Sequence, residues 1–292
     1  MSSRPASPFD TSAVDALPPL RETLARHDLN AKKNLGQNFL LDLNLTGRIA
    51  RCAGDLSGVN VIEIGPGPGG LTRALVQTAT PHIYAIERDD RCVNALQELV
   101  AAADGRLTII PDDALKVDYE ALCPAPRALA ANLPYNIATV LLLGWLEKAG
   151  MFQSMTLMFQ KEVAERIVAE PRTKDYGRLS VMTQWLCDAE KMFDIPPSAF
   201  TPPPKVTSSV VHIVPKQTRT DTVQMKTMER LTAAAFGQRR KMLRQSLKSL
   251  GTDETKILEM AGIEGTARAE EIDIAGFVRM AEALEKISGK SA

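Results

Sequence analysis

The chain has little of what builds a metal or disulfide site. Its 292 residues include only four cysteines, Cys52, Cys92, Cys123 and Cys187, and three histidines, His27, His82 and His212. No cysteine pair has the CxxC spacing of a zinc knuckle or redox dithiol, and no two histidines are close enough to ligate a metal from one element. No metal is expected. Net charge is missing too: 35 basic and 35 acidic residues cancel, so evidence for a polyanionic partner must be local. The apolar stretch Ala138 to Leu146 is nine residues, about half of the ~20 that a bilayer-spanning helix needs. No membrane span is expected. The amino terminus, MSSRPASPFD, has no apolar core behind its arginine, so it does not read as a secretory signal, and residues 1–27 read as a flexible extension of a cytoplasmic protein.

What is present is an ordinary globular composition, 45% apolar and 24% charged, in a chain long enough for one large domain and a smaller one. Between residues 59 and 160 short β-rich runs alternate with helical patterns. Val59 to Ile64, His82 to Ile86, Leu107 to Ile110, Arg127 to Ala131 and Met155 to Phe159 read as strands of a parallel, doubly wound sheet. Asp42 is placed to cap a helix from Leu43, which makes residues 28–41 a lead-in rather than a strand. Lys191 to Ile195 and Ser208 to Val214 add two strand-like runs, and the prolines at 196, 197 and 202–204 forbid regular structure between them. Beyond Pro215 only helical patterns remain, one of them spanning Arg240 to Leu250. The expected class is α/β, a Rossmann-like doubly wound sheet over residues 28–216, followed by a small all-helical domain over 217–292.

The segment VIEIGPGPGGL follows a strand and opens a helix, and Gly65, Gly67 and Gly70 satisfy the dinucleotide fingerprint GxGxxG. A nicotinamide oxidoreductase must therefore be weighed. Pro66 and Pro68, however, have no N–H, and a loop cradling a pyrophosphate depends on those donors. A phosphate-free nucleoside such as the adenosine of S-adenosylmethionine fits better. Glu63 can orient a ligand ammonium or structure the loop. Glu87 ends the second strand, where an acid can bind a ribose diol, and Asp113 follows the third, where a carboxylate can accept from an adenine amino group.

Arg127 to Ala131 runs into Asn132, Leu133, Pro134 and Tyr135, at the same sheet edge. The lone pair of an adenine N6 is delocalised, so the nitrogen attacks poorly unless acceptors draw on its two hydrogens. Asn132 offers one acceptor, the carbonyl of Leu133 or Pro134 another, and Tyr135 a face on which a splayed base can stack. Phe200 is a candidate for the opposite wall. A sulfonium carries its own leaving group, so positioning suffices and no metal is needed.

Nine motifs occur in order: KKNLGQNFL (32–40), VIEIGPGPGGLT (61–72), IERD (86–89), DDAL (112–115), NLPYN (132–136), MFQKEVAERI (158–167), YGRLSV (176–181), FTPPPKVTSSVV (200–211) and FGQRRKMLRQSL (236–247). Together they resemble the bacterial 16S rRNA adenine N6,N6-dimethyltransferases over about residues 28–287. The resemblance implies methyl transfer from S-adenosylmethionine to two adjacent adenosines in a hairpin loop near the 3′ end of 16S rRNA, on a 30S assembly intermediate, by a monomer. It implies a cofactor site at Asn38, Leu40, Gly65, Glu87, Asp113 and Asn132, with Asn132, Tyr135 and Phe200 holding the target base. Asn38 follows from the resemblance alone. The chain departs from the pattern in its 27-residue extension and at RAEEIDIAGF (268–277), where threonine and leucine usually follow the glutamate.

Local charge supports an RNA partner. Arg239, Arg240, Lys241, Arg244 and Lys248 lie within residues 237–250 with no acid among them, a credible phosphate contact. Lys161, Arg166, Arg172, Lys174, Arg178 and Lys205 can extend that surface, and Lys32 and Lys33 can approach from the amino-terminal side. Three alternatives stay open: a methyltransferase for large-subunit rRNA, a non-catalytic RNA-binding assembly factor, and the nicotinamide enzyme.

Overall fold

The computed structural model describes residues 8–32, 36–217 and 223–289; Lys33 lies outside them. Two compact units emerge. The first takes the chain up to 144 with 150–164 and 190–215, the second 145–149, 165–189 and the chain from 216 onward. A single boundary is expected near Lys216; in the structure residues 145–149 and 165–189 group with the chain beyond it. The helix Arg178–Leu186 buries Val181, Met182, Thr183, Trp185 and Leu186, too many sides for a surface helix, and needs covering. The helical unit supplies partners: the Tyr176 hydroxyl donates to the Ile272 carbonyl (2.8 Å) and Lys216 Nζ to the Gln184 carbonyl (2.6 Å).

The described residues form β1 (Phe39–Leu40), β2 (Asn60–Ile64), β3 (Ile83–Ile86), β4 (Leu107–Ile110), β5 (Arg127–Asn132), β6 (Ser154–Gln160), β7 (Cys187–Ile195), β8 (Phe200–Thr201) and β9 (Ser208–Pro215). Seven of these make one sheet in the order β4-β3-β2-β5-β6-β9-β7. β2 pairs in parallel with both β3 and β5, so the strand order reverses there, and side chains on both faces are buried as a covered parallel sheet requires. β9 runs antiparallel to β6.

β1 and β8 form a separate antiparallel pair, Leu40 opposite Phe200. Both differ from the sequence expectation, in which residues 28–41 are a lead-in and the prolines exclude regular structure between the last two strands. The prolines flank Phe200 and Thr201 without replacing them, so both N–H groups stay available for pairing. Asp42 does cap the next helix, Leu43–Cys52, accepting from the N–H groups of Asn44 (2.8 Å) and Leu45 (3.3 Å).

The extension is not loose throughout. Residues 11–27 include helices α1 (Ser12–Asp15) and α2 (Leu20–Arg26), which bury Val14, Leu20 and Thr23. Four further helices of this unit are α3 (Leu43–Cys52), α4 (Gly70–Val76), α5 (Asp90–Ala95) and α6 (Gln97–Ala102). Arg73 on α4 donates to the Pro18 carbonyl (2.8 Å), and Arg26 makes a two-point contact with Glu98 on α6 (2.7 and 3.0 Å). Apolar residues at 14, 17 and 20 supply a face that the sheet unit covers, which outweighs the polar, proline-containing composition.

In the second unit, helices Met225–Gly237 and Ile274–Ile287 pack through Phe236 and Phe277, whose rings stack at 5.5 Å. The helix expected from Arg240 to Leu250 is instead a turn, a short helix Leu243–Ser246 and a 3-10 turn Leu247–Leu250.

Gly70 has no room for a side chain, because a Cβ there would lie 2.2 Å from the Leu40 carbonyl oxygen. Gly70→Ala is expected to destabilise the protein by about 1–3 kcal/mol, read as a fall in the urea midpoint. Gly144→Ala, in the helix Ala138–Glu147 with open space around its Cβ, should leave the midpoint unchanged or raise it. An unmoved midpoint for Gly70→Ala would contradict the close approach.

Candidate active site

The carboxyl ends of β2, β3, β4 and β5 open onto one cleft of about 1110 Å³, including the space at its mouth. Of the residues expected to act on cofactor or base, Asn38, Leu40, Gly65, Glu87, Asp113, Asn132, Leu133, Pro134 and Tyr135 all line it. Phe200 does not. Only 3% exposed, it packs in the apolar core opposite Leu40 in the β1–β8 pair, so the expectation of a free aromatic wall is corrected: strand pairing has drawn the ring inward.

The glycine loop has spent its donors. Gly65 N–H donates to the Ile86 carbonyl (2.9 Å), Gly67 N–H to Glu87 Oε2 (3.0 Å) and Gly69 N–H to the Pro66 carbonyl (3.0 Å), while Pro66 and Pro68 have none. A pyrophosphate would find no free backbone N–H between residues 65 and 69. Gly65, at φ +64°, borders open space, whereas a Cβ on Gly67 would meet the Phe39 ring at 3.1 Å. Gly67 and Gly70 thus admit the protein's own lead-in, a role their spacing did not reveal, and Gly65 leaves bare backbone for a ligand.

Glu87 is buried, and burial raises its carboxyl pKa. It accepts from the N–H groups of Gly67 (3.0 Å), Arg88 (2.8 Å) and Asp89 (2.8 Å), so about one of its four acceptor positions is open to a ligand hydroxyl. Asp113, at the end of β4, accepts from Leu115 N–H (3.1 Å) and faces Arg88 across 3.5 Å. Arg88 lines the cleft as well, and nothing in its spacing marked it. Asn132 Nδ2 donates to the Asn38 carbonyl (2.9 Å), which leaves Oδ1 as the amide's acceptor. The Pro134 carbonyl already accepts from Ile137 and Ala138 (both 3.1 Å). Among the described residues no backbone N–H donates to the Leu133 carbonyl, so of the two candidate carbonyls Leu133 is the one available. Tyr135 is half-buried, its hydroxyl paired with Ser208.

The basic segment is partly as expected. Arg240, Lys241, Arg244 and Lys248 are exposed, but Arg239 is held by Glu270 (2.8 Å) and the Thr173 carbonyl (3.1 Å). Lys161 pairs with Asp194 (2.7 Å) and Arg178 with Glu229 (3.7 Å), which ties down two of the cations expected to extend the surface.

Glu63 lines the cleft, is 1% exposed, and its Oε2 has no partner. Burial pushes its carboxyl up to about 8 from an ordinary 4.5, offset in part by Thr72, with the nearby Glu87 charge the smallest contribution, also upward. Between those values the folded protein keeps a proton that the unfolded chain releases, so stability falls as pH rises from about 4.5 toward 8. Glu63→Gln removes the titration, and its urea midpoint should gain on the wild type as pH is raised from about 5 to about 8. Parallel curves would contradict the assignment.

Comparison with known proteins agrees with this geometry. The family model for ribosomal RNA adenine dimethylase matches residues 28–286. Ribosomal RNA small subunit methyltransferase A of Rhodospirillum rubrum is 56% identical over 283 residues, 96% of this chain and 98% of that one. The protein of the same name from Azorhizobium caulinodans is 58% identical over 282 residues, 95% and 97% of the two chains. Among solved structures, a dimethyladenosine transferase from Plasmodium falciparum aligns with a TM-score of 0.75 at 25% identity, covering 86% of this chain and 98% of the other. The 23S rRNA methyltransferase ErmE aligns at 0.66 and 27%, covering 85% and 100%. With a family model spanning all but the two ends of the chain and a cleft built from the segments it covers, this protein belongs to the ribosomal RNA adenine dimethylase family.

Proposed function

We propose that the chain transfers methyl groups from S-adenosylmethionine to N6 of two adjacent adenosines in the 3′-terminal hairpin loop of 16S rRNA. It would act as a single chain, in the cytoplasm, on a 30S assembly intermediate. The observation that carries this reading is Asn132: its Nδ2 is committed to the Asn38 carbonyl, so its Oδ1 accepts, beside an available Leu133 carbonyl on the same cleft. A target amino group has two hydrogens, and these are two acceptors for it.

The cleft suits the cofactor chemically. Gly65 exposes backbone without phosphate-binding donors, and a cation bound beside the buried Glu63, whose Oε2 is unpartnered, would favour that carboxyl's ionised form. When bound, S-adenosylmethionine supplies a methyl group on a sulfonium that is its own leaving group. Glu87 binds a ribose hydroxyl with its remaining acceptor capacity, Asp113 accepts from the adenine amino group, and Asn38 and Leu40 cover the site from the lead-in. Asn132 Oδ1 and the Leu133 carbonyl draw on the target N6 hydrogens and pull the nitrogen toward tetrahedral geometry. Pro134 stiffens the turn, and the face of Tyr135 stacks the extruded base, worth about 1–3 kcal/mol. Phe200 acts at one remove, backing Leu40. In-line orientation alone can supply about 7–11 kcal/mol of the barrier, and a methylated, cationic N6 sheds its proton without a dedicated base.

Arg240, Lys241, Arg244 and Lys248 are assigned to RNA phosphates, which position the substrate without specifying it. The likeness to a 23S rRNA methyltransferase makes large-subunit rRNA the second reading. Identities of 56% and 58% to small-subunit enzymes against 27% to that one favour the first.

The test is incubation of unmethylated 30S subunits with the protein and labelled donor, followed by nuclease digestion and mass spectrometry; dimethyladenosine in the 3′-terminal 16S fragment is expected, and label only in a 23S fragment supports the second reading. Asn132→Ala should lower methyl transfer more than about tenfold while cofactor affinity stays within a few-fold. Glu87→Ala should chiefly weaken cofactor binding. The double variant Arg240→Ala/Lys241→Ala should weaken RNA binding and reduce the salt slope by about 1.5–2; an unchanged slope would remove those residues from the interface.

A further inference from the structure

The side chain of Asn132 is oriented by a backbone carbonyl in a segment that is itself held by side chains. The lead-in reaches the sheet edge through Gln37. Its Oε1 accepts from the Lys32 N–H (2.8 Å) and its Nε2 donates to Asp89 Oδ2 (3.0 Å). Asp89 is 5% exposed and is the hub of this region. Its carboxylate caps α5 through the Arg91 N–H (3.3 Å) and takes the Arg91 guanidinium at two points, Nε (3.1 Å) and Nη2 (2.7 Å). The third guanidinium nitrogen returns to the lead-in, Nη1 donating to the Asn30 carbonyl (3.2 Å). One residue beyond Gln37, the Asn38 carbonyl receives the Asn132 amide, and one further on β1 begins. Gln37 also lines the cleft.

We propose that Gln37 is a positioning residue for methyl transfer: anchored on Asp89, it fixes the lead-in so that the Asn38 carbonyl holds the Asn132 amide with Oδ1 free to accept. The inference rests on the role given to Asn132. Two features of the structure carry it. Asp89 and Arg91 form a rigid, charge-assisted fork at the end of β3, and the only side-chain bond from that fork to the 36–38 stretch, among the described residues, is the one from Gln37. The displacement that matters is small, since an error of about 1 Å in a reacting geometry can cost on the order of 100-fold in rate. The anchor does not switch with pH. Arg91 first, then Gln37, hold the Asp89 carboxyl down at about 2, so it stays ionised wherever the enzyme works. The other ionisable groups facing it are Lys32 (3.9 Å), the adjoining Glu87, and Cys92, whose thiol burial pushes far up.

Two substitutions separate positioning from general structural support. Gln37→Met keeps length and removes all three side-chain hydrogen bonds, the long one from Nε2 to Cys92 Sγ (4.0 Å) included. At saturating cofactor and 30S its kcat should fall at least about tenfold, with KM for 30S within about twofold and Tm within about 2 °C. Gln37→Glu places a second carboxylate against Asp89 and should be equally slow at pH 8. As pH is lowered toward 6 the new acid, its pKa raised by Asp89, regains a proton to donate, and kcat relative to the wild type at the same pH should recover several-fold, while the Gln37→Met ratio stays flat. Wild-type kcat for Gln37→Met, a loss matched by a fall in Tm, or a Gln37→Glu ratio that ignores pH each overturns the tether while wild-type activity upholds the reading of the site. A wild-type protein that transfers no methyl to 30S overturns both.

Discussion

A single hydrogen bond across the cleft, from Asn132 Nδ2 to the Asn38 carbonyl, fixes the orientation of the asparagine amide and leaves its Oδ1 as the acceptor. An amide side chain has a donor end and an acceptor end of nearly equal shape, and an adenine amino group can use only the acceptor. The bond removes the ambiguity. It also makes the sheet and the lead-in interdependent, since the carbonyl has to be brought to the end of β5 by a segment from elsewhere in the chain. The glycine loop makes that approach possible: Gly70 leaves space for the Leu40 carbonyl and Gly67 for the Phe39 ring.

The same loop bears on the proposed cofactor. Its N–H groups are committed internally, two of its residues are prolines, and two buried carboxyl groups, Glu63 and Glu87, stand beside it. That environment disfavours a pyrophosphate and suits a cation carrying a nucleoside. Holding the acids there has a cost in stability, visible in the upward shifts of both carboxyls, and a site that places unpaired acceptors in a cleft is spending stability on binding.

Much of this was legible in the sequence because it is local. The strand-to-helix turn at 65–70, the acids at the ends of β3 and β4, and the turn after β5 each sit within a few residues of a hydrophobic strand, and the doubly wound order brings those ends together. What escaped depends on contacts between distant segments. The β1–β8 pair joins residues about 160 apart, and its two short strands carry no periodic signal; it turned Phe200 into core. Helices α1 and α2 are too short to announce themselves and form because the sheet unit covers their few apolar residues. The reading of Arg240 to Leu250 as one helix failed for a similar reason: basic and apolar residues at helical spacing describe short turns equally well. Asn38 came from family resemblance, and Gln37 and Arg88 from the structure alone.

The most direct measurement is a crystal structure of the protein with S-adenosylhomocysteine and an adenosine-containing RNA fragment in the cleft. Asn132 Nδ2 is expected still bonded to the Asn38 carbonyl, with Oδ1 and the Leu133 carbonyl each about 2.9–3.0 Å from the target N6. A target base seated with its N6 away from residue 132, or an Asn132 amide turned over with its bond to Asn38 broken, would contradict it.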